Sequence, residues 1–391
     1  MLRALYSAIS GLRSHQTMLD VTGNNIANVN TTGFKSSQTQ FQDTLSQLIR
    51  GASGAQAAAG GSNPAQIGLG VQVAGISTNF SQGSAQATGR STDMMISGDG
   101  FFVVQSAGET LYTRAGSFSF DASGRLVTPD GALVQGWTAT NGVLPTTGGA
   151  VGNITLPQNA VAPAVKTTSV TMTGNLPSGA AVGDVVTRDV DVYDAVGDAR
   201  TISVQFTRTA AGWDTKATDG ATVVNGAMTF NAAGKVATGG TITVNGVAID
   251  LSAATGFADL NTLAASHQDG RGPGTLQSFS LSKDGTLVGS FSNGATEPIA
   301  RIALATFINP GGLEKAGGST YRTSINSGIA TLGTAGSGGI GSLMGGALEM
   351  SNVDLSQEFT NLIVAQRGFQ ANARIITTSD EVLQELTNLK R

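Results

Sequence analysis

The chain has 391 residues, 40% of them hydrophobic and only 12% charged, with a formal net charge of −4. That length exceeds the ~250–300 residues at which single cores stop growing, so several domains are expected; the low charge density leaves a surface of Ser, Thr, Asn, Gln and Gly that sheds little charge hydration when copies pack together. The scattered Lys and Arg form no basic stripe for phosphate, and the absence of Cys removes disulfides, thiolate metal sites and cysteine nucleophiles, so nucleic-acid binding and thiol chemistry are set aside.

The first residues, Met1-Leu2-Arg3-Ala4-Leu5-Tyr6-Ser7, lack the unbroken apolar core of a secretory signal, and no stretch reaches the ~18 apolar residues of a membrane span. Membrane insertion and the ordinary secretory route are therefore not expected. Leu2, Leu5, Ile9, Leu12, Gln16, Leu19, Gly23 and Ile26 follow one another in steps of three and four, the spacing of a helix with a heptad seam. The residues that follow, including Asn24, Asn25 and Asn28, tolerate left-handed geometry and offer donors and acceptors along a contact. Residues 36–70 read as a linker that orders on assembly or stays passive, because Gly51 to Gly61 is nearly all Gly, Ala, Ser and Gln.

Beyond it the texture changes to short β-rich runs punctuated by Gly, Asn and Asp, such as Gly100-Phe101-Phe102-Val103-Val104-Gln105. Residues 241–250 predict a tight hairpin: alternating apolar residues flank Asn245-Gly246, both able to take the positive φ of a type I′ turn. Asp130-Gly131, Asn141-Gly142, Asn225-Gly226, Asp284-Gly285 and Asn293-Gly294 are read as similar turns. Phe120 to Thr128 is echoed by Phe230 to Thr238, which is either an internal repeat or convergent hairpin chemistry. Gly333 to Gly346 reads as a second linker. A longer seam then runs through Leu348, Asn352, Leu355, Phe359, Leu362, Gln366, Phe369, Ala373, Ile376, Asp380 and Leu383.

Neither terminal helix has a sequence neighbour on which to bury its stripe, so the two ends are expected to pair with each other. The pair is then either a helix hairpin packed on a globular body or a rod that leaves apolar surface for further copies. The polar seam residues Gln16, Gln366 and Asp380 favour the second, since such positions specify register among several helices.

No catalytic, cofactor or metal site is expected. His15 has no acidic or histidine partner one turn away, and His267 reads as turn material. Asp191, Asp194 and Asp198 lack the calcium-loop pattern and read as a strand edge and turn.

The segment Gly23-Asn24-Asn25-Ile26-Ala27-Asn28-Val29-Asn30-Thr31-Thr32-Gly33-Phe34-Lys35 resembles the N-terminal signature of the bacterial flagellar rod and hook family. Gly346-Ala347-Leu348-Glu349-Met350-Ser351-Asn352-Val353-Asp354-Leu355 and Ala365-Gln366-Arg367-Gly368-Phe369-Gln370-Ala371-Asn372-Ala373 resemble its C-terminal signature. Gly98 to Phe102 and Tyr112 to Phe118 are similar to its shared β domain, and Val192 to Phe206 with Trp213, and Ala305 to Leu313, to the hook members. Arg200 departs from the His expected in that stretch.

The resemblance implies a mainly β fold with α-helical termini, the two helices pairing as a coiled-coil-like inner domain followed by β-rich inner and outer domains. The expected divisions are 1–35 plus 348–391 for the terminal helices, 71–145 plus 285–347 for the inner β domain and 146–284 for the outer one. It also implies a non-enzymatic subunit without cofactors that polymerises with itself into a flexible tube. Its implied partners are the distal rod protein, the hook cap, the hook–filament junction protein and the flagellar type III export apparatus, through which it leaves the cell. A distal rod subunit is the alternative. The residues expected to carry assembly are Leu2, Leu5, Ile9, Leu12, Leu19, Asn24, Asn25, Ile26 and Asn28 at one end, and Leu355, Phe359, Leu362, Phe369, Ile376 and Leu383 at the other.

Overall fold

A run such as Phe101-Phe102-Val103-Val104, with no polar residue at alternate positions, fits a strand covered on both faces. In the computed structural model, which describes residues 2–54, 60–140, 142–145, 149–156 and 161–388, all four side chains are buried. Phe101 and Val103 join a core with Tyr112, Trp137, Phe307, Leu313 and Tyr321. Phe102 points the other way and meets Phe118 edge-on, with ring centres 5.0 Å apart. The described chain is mainly β between two terminal helices, α1 (Leu2–Ala27) and α2 (Leu355–Asn388).

Two compact units are present: Met1–Leu156 with Ser280–Leu287 and Pro298–Arg391, and Pro157–Phe279 with Val288–Glu297. In the first, Leu133–Thr138 pairs with Phe101–Ser106 on one side and with residues 300–302 on the other. Phe101–Ser106 pairs onward with Glu109–Thr113, that strand with Thr320–Arg322, and that in turn with Glu314–Gly317, all antiparallel. Gly333 to Gly346 is no linker but part of this unit. Ser342–Gly345 pairs with Met94–Ser97, Ile340 and Leu343 are buried, and a Cβ on Gly341 would run into the Ser97 carbonyl. Gly341 permits close backbone approach, and Gly336, Gly338, Gly339 and Gly346 take the positive φ that glycine allows without strain.

The segment 36–70 forms most of a long hairpin: Ser37–Asp43 pairs with Val71–Thr78 and, nearer the tip, Ser46–Arg50 with Ala65–Gly68. Residues 55–59 of its Gly/Ala-rich stretch lie outside the described residues.

The second unit packs two sheets on a core that includes Val170, Met172, Val192, Ile202, Phe206, Trp213, Val244 and Ile249. One sheet is a meander running from Val185–Tyr193 to Val236–Thr238; in the other, Ser169–Asn175 pairs in parallel with Val247–Asp250. The Asn245-Gly246 hairpin forms as the sequence predicts, with φ of 47° and 81°. Asn225-Gly226, read as a turn, instead lies inside the strand Thr222–Phe230 opposite Lys216 and Thr215. A Cβ at Gly226 would sit 2.8 Å from Thr215 Oγ1, so close packing, not turning, calls for glycine there. His267 likewise lies in a strand, opposite Thr171.

The two echoed segments share one turn. Asp121 Oδ1 accepts the N–H groups of Ser123 and Arg125, and Asn231 Oδ1 those of Ala233 and Lys235. Asp194 does the same for Val196, Gly197 and Asp198. Those N–H groups, Asp198's foremost, hold its carboxyl below the usual range. Three unrelated places using one side-chain turn favour convergent turn chemistry over a repeat.

Burial pushes the Tyr321 phenol up to about 12, against the pull of Arg114. The folded state disfavours its phenolate, so this contribution to stability is intact below the ordinary tyrosine pKa of ~10 and is lost as pH rises toward 12. In an ultraviolet titration of the four tyrosines, Tyr321→Phe is expected to remove the last-ionising phenol. An unchanged curve above about pH 11 would contradict the burial.

Candidate assembly site

Helix α1 could bury its apolar stripe on α2, but the contact is made by other residues. The two helices run antiparallel: Gly11 lies against Asn372, His15 over Gly368, and Asn25 beside Glu358. A Cβ on Gly11 would stand 2.8 Å from the Asn372 amide and one on Gly368 2.5 Å from the His15 ring. Ala8 and Ala365 are also buried. Small residues at this line let the backbones approach closely, a seam of steric fit rather than of large apolar knobs.

The α1 positions that meet α2, 11, 15 and 25, lie roughly a third of a turn from the predicted stripe, counting 100° per residue. A second side of α1 meets the hairpin, where Ser10 Oγ accepts the Val71 N–H at 3.2 Å and His15 faces Phe41. The predicted stripe is the third side. Leu2 opens the helix; Leu5, Leu12, Leu19 and Ile26 are half-buried and Ile9 is exposed. On α2, Leu355, Phe359, Phe369 and Leu383 are exposed, as are Ile363, Val364, Ile375, Val382 and Leu386, while Leu362 and Ile376 are half-buried at the border. Phe359, at 52% exposure, has no counterpart in a finished core.

The helix begins later than the seam predicts. Asp354 Oδ1 accepts the N–H groups of Ser356 and Gln357, an N-cap that starts α2 at Leu355. Leu348, predicted as a seam position, instead lies in the strand Ala347–Glu349, which pairs with Ala85–Ala87. Asn352 precedes the helix, its amide bonded to Asn79 and Ser81 and its Oδ1 accepting the Ser36 N–H at 2.8 Å.

The three asparagines of the N-terminal motif part company. Asn25 is buried within the subunit, donating to Ser37 O and Glu358 Oε1 and accepting the Ser37 N–H. It ties α1, the hairpin and α2 together, so its side chain is committed internally. Asn24 is exposed, and Asn28 closes the helix end by donating to Asn24 O at 2.9 Å.

Sequence reasoning missed a buried charge cluster. Lys35 Nζ lies 2.6 Å from Glu349 Oε1, both side chains fully shielded from solvent, and Arg114 Nη1 lies 3.4 Å from Glu349 Oε2. Lys35 also donates to Ser81 O, the Gly83 N–H to Glu349 Oε1, and the Gly33 N–H to Glu349 O. Burial pushes the Lys35 ammonium pKa down, with the Glu349 hydrogen bond and charge opposing and Arg114 adding to the fall. The signal was present: Lys35 and Arg114 are the sole charges in their motif segments, in a chain where charge is scarce.

Residues 5–35 match the family described as "Flagella basal body rod protein", 95–176 the "Flagellar hook protein FlgE/F/G D1 domain" and 344–389 the "Flagellar basal body rod FlgEFG protein C-terminal". The flagellar hook protein FlgE of Borreliella burgdorferi is 38% identical over the whole of both chains. The chain belongs to the flagellar hook and rod protein family. The flagellar basal-body rod protein FlgG of Bacillus subtilis is 36% identical, also over the whole of both chains. In fold, the crystal structure of Helicobacter pylori flagellar hook protein FlgE2 superposes with a TM-score of 0.50 at 16% identity, covering 68% of this chain and all of that one. The three family matches each bring one charge to the buried cluster of this hook-family chain: Lys35, Arg114 and Glu349.

Glu349→Ala leaves two buried cations facing each other and is expected to cost about 3–5 kcal/mol, whereas Lys35→Met, Arg114→Met and Glu349→Leu together should come within about 1–2 kcal/mol of the native chain. Urea denaturation checks both; equal losses for the two variants would contradict the electrostatic account.

Proposed function

We propose that the chain polymerises through the outward stripes of its terminal helix pair to form the bacterial flagellar hook, the tubular joint that transmits torque from rod to filament. The observation that carries the mechanism is the separation of two seams on the same helices. A small-residue seam closes the pair within one copy, and the apolar stripe beside it stays free for others. Contacts of this kind, made by one surface on a different surface of the next copy, repeat without closing and give a helical filament. The family is structural, and the residues described above have a packing role rather than a chemical one.

On this reading the isolated ends are only partly helical until they join the growing tip, since long helices with interrupted stripes gain too little burial alone. Weakly charged contacts between copies then slide as the tube bends. The remaining partners follow from the place of a hook in the flagellum: a distal rod protein below, a junction protein above, a cap during growth and the type III export apparatus for delivery. The rod relative in Bacillus subtilis supports a second reading, a straight distal rod subunit, which differs in the stiffness of the tube.

Leu355→Ser, Phe359→Ser and Phe369→Ser together remove exposed side chains of the stripe, so the monomer's unfolding free energy is expected to change by no more than the roughly ±0.5 kcal/mol per site typical of surface changes. The critical concentration for tube formation, measured by sedimentation and electron microscopy, should rise about tenfold or more. Unchanged tube formation would overturn assembly through this stripe; straight native tubes would favour the rod.

A further inference from the structure

Two charge-free stretches of the first β unit, residues 305–313 and 323–333, hold an isoleucine-rich projection. Ile308, Ile325 and Ile329 are 92%, 105% and 89% exposed. The stretches that carry them are tied together: Asn309 Nδ2 donates to Asn326 O at 2.9 Å, and Ser324 Oγ to Gly312 O. A Cβ on Gly328 would stand 3.9 Å from that of Ile308. Single exposed isoleucines are ordinary, but three on one hydrogen-bonded projection form a patch that needs a partner.

From this projection springs the hairpin of Glu314–Gly317 and Thr320–Arg322. Its tip, with Ala316 to Ser319, lines a groove of about 760 Å³ whose apolar wall includes Phe34, Leu111, Ala132 and Tyr321. The groove is of the size that holds a compact apolar ligand, ~300–1,000 Å³.

We infer that the isoleucine projection of one copy docks in the groove of a second copy of this chain. The groove runs along the hairpin from Lys315 to Tyr321 without Ile308, Ile325 or Ile329 in its walls, and those three side chains stay almost fully exposed, so a copy does not fill its own groove. A knob and a matching recess at different places on one molecule make a head-to-tail contact that propagates. Three isoleucines present a few hundred Å², well under the ~800 Å² per partner of a stable pair. The contact therefore cannot hold two free subunits together, and it acts where the terminal helices have already brought copies into line. It rests on the hook reading, since it needs neighbours in an array.

The chain has no native cysteine, so engineered pairs give a clean readout. The full chain carrying Ile325→Cys and the groove change Ser106→Cys is polymerised, oxidised and run on a non-reducing gel. A ladder of covalent multimers from tubes, absent from free subunits and from either single variant, is the expected result. Tubes without a ladder would overturn the knob-and-groove contact and leave the hook reading intact; a native chain that forms no tubes would overturn both. As a second measurement, Ile308→Ser, Ile325→Ser and Ile329→Ser together should leave the monomer's melting unchanged and speed tube disassembly on dilution about fivefold or more. Disassembly at the native rate would equally overturn the contact.

Discussion

A carboxylate taken out of water must be surrounded by donors, and Glu349 meets that demand from three distant parts of the chain. Lys35 arrives from the end of the N-terminal motif, Arg114 from the β unit, and the Gly83 N–H from the segment between them. Because the cluster is satisfied only when all three are present, it fixes where both terminal helices leave the β unit. Asn25 and Asn352 extend the same constraint, one bridging the hairpin to α2 and the other holding the strand before α2. On the proposed hook reading the junction between helices and β unit has to resist twisting, and directional bonds to buried groups supply that resistance better than apolar contact does.

With the exit points fixed, the helix pair need not be strong by itself. Its internal seam is made of Gly11, Ala8, Ala365 and Gly368 with polar neighbours, a fit that sets distance and register while burying little apolar area. The large apolar side chains are left on the other faces. The ends do pair within a copy, and the apolar surface they keep exposed is what the proposed assembly rests on.

The helices, the β middle and the Asn245-Gly246 hairpin were legible because period and turn chemistry are local signals. What misled was composition. The Gly-rich run 333–346 reads as a linker and Asn225-Gly226 as a turn, yet at Gly341 and Gly226 a neighbouring carbonyl or hydroxyl leaves no room for a Cβ, which only the fold reveals. The seam pattern found the apolar stripes but not the internal contact, because hydrophobic periodicity is blind to glycine and alanine packing. It also ran α2 back to Leu348, past the Asp354 cap that stops it. The charge cluster was absent from the sequence reading because its members are separated by 79 and 235 positions, from Lys35 to Arg114 and from Arg114 to Glu349.

The most direct measurement is a helical reconstruction by electron cryo-microscopy of tubes grown from the full chain. The account predicts that Gly11 still faces Asn372 within each copy while Phe359 and Phe369 are buried against neighbouring copies. Tubes in which the two helices of one copy separate, or in which Phe359 and Phe369 stay open to solvent, would contradict it.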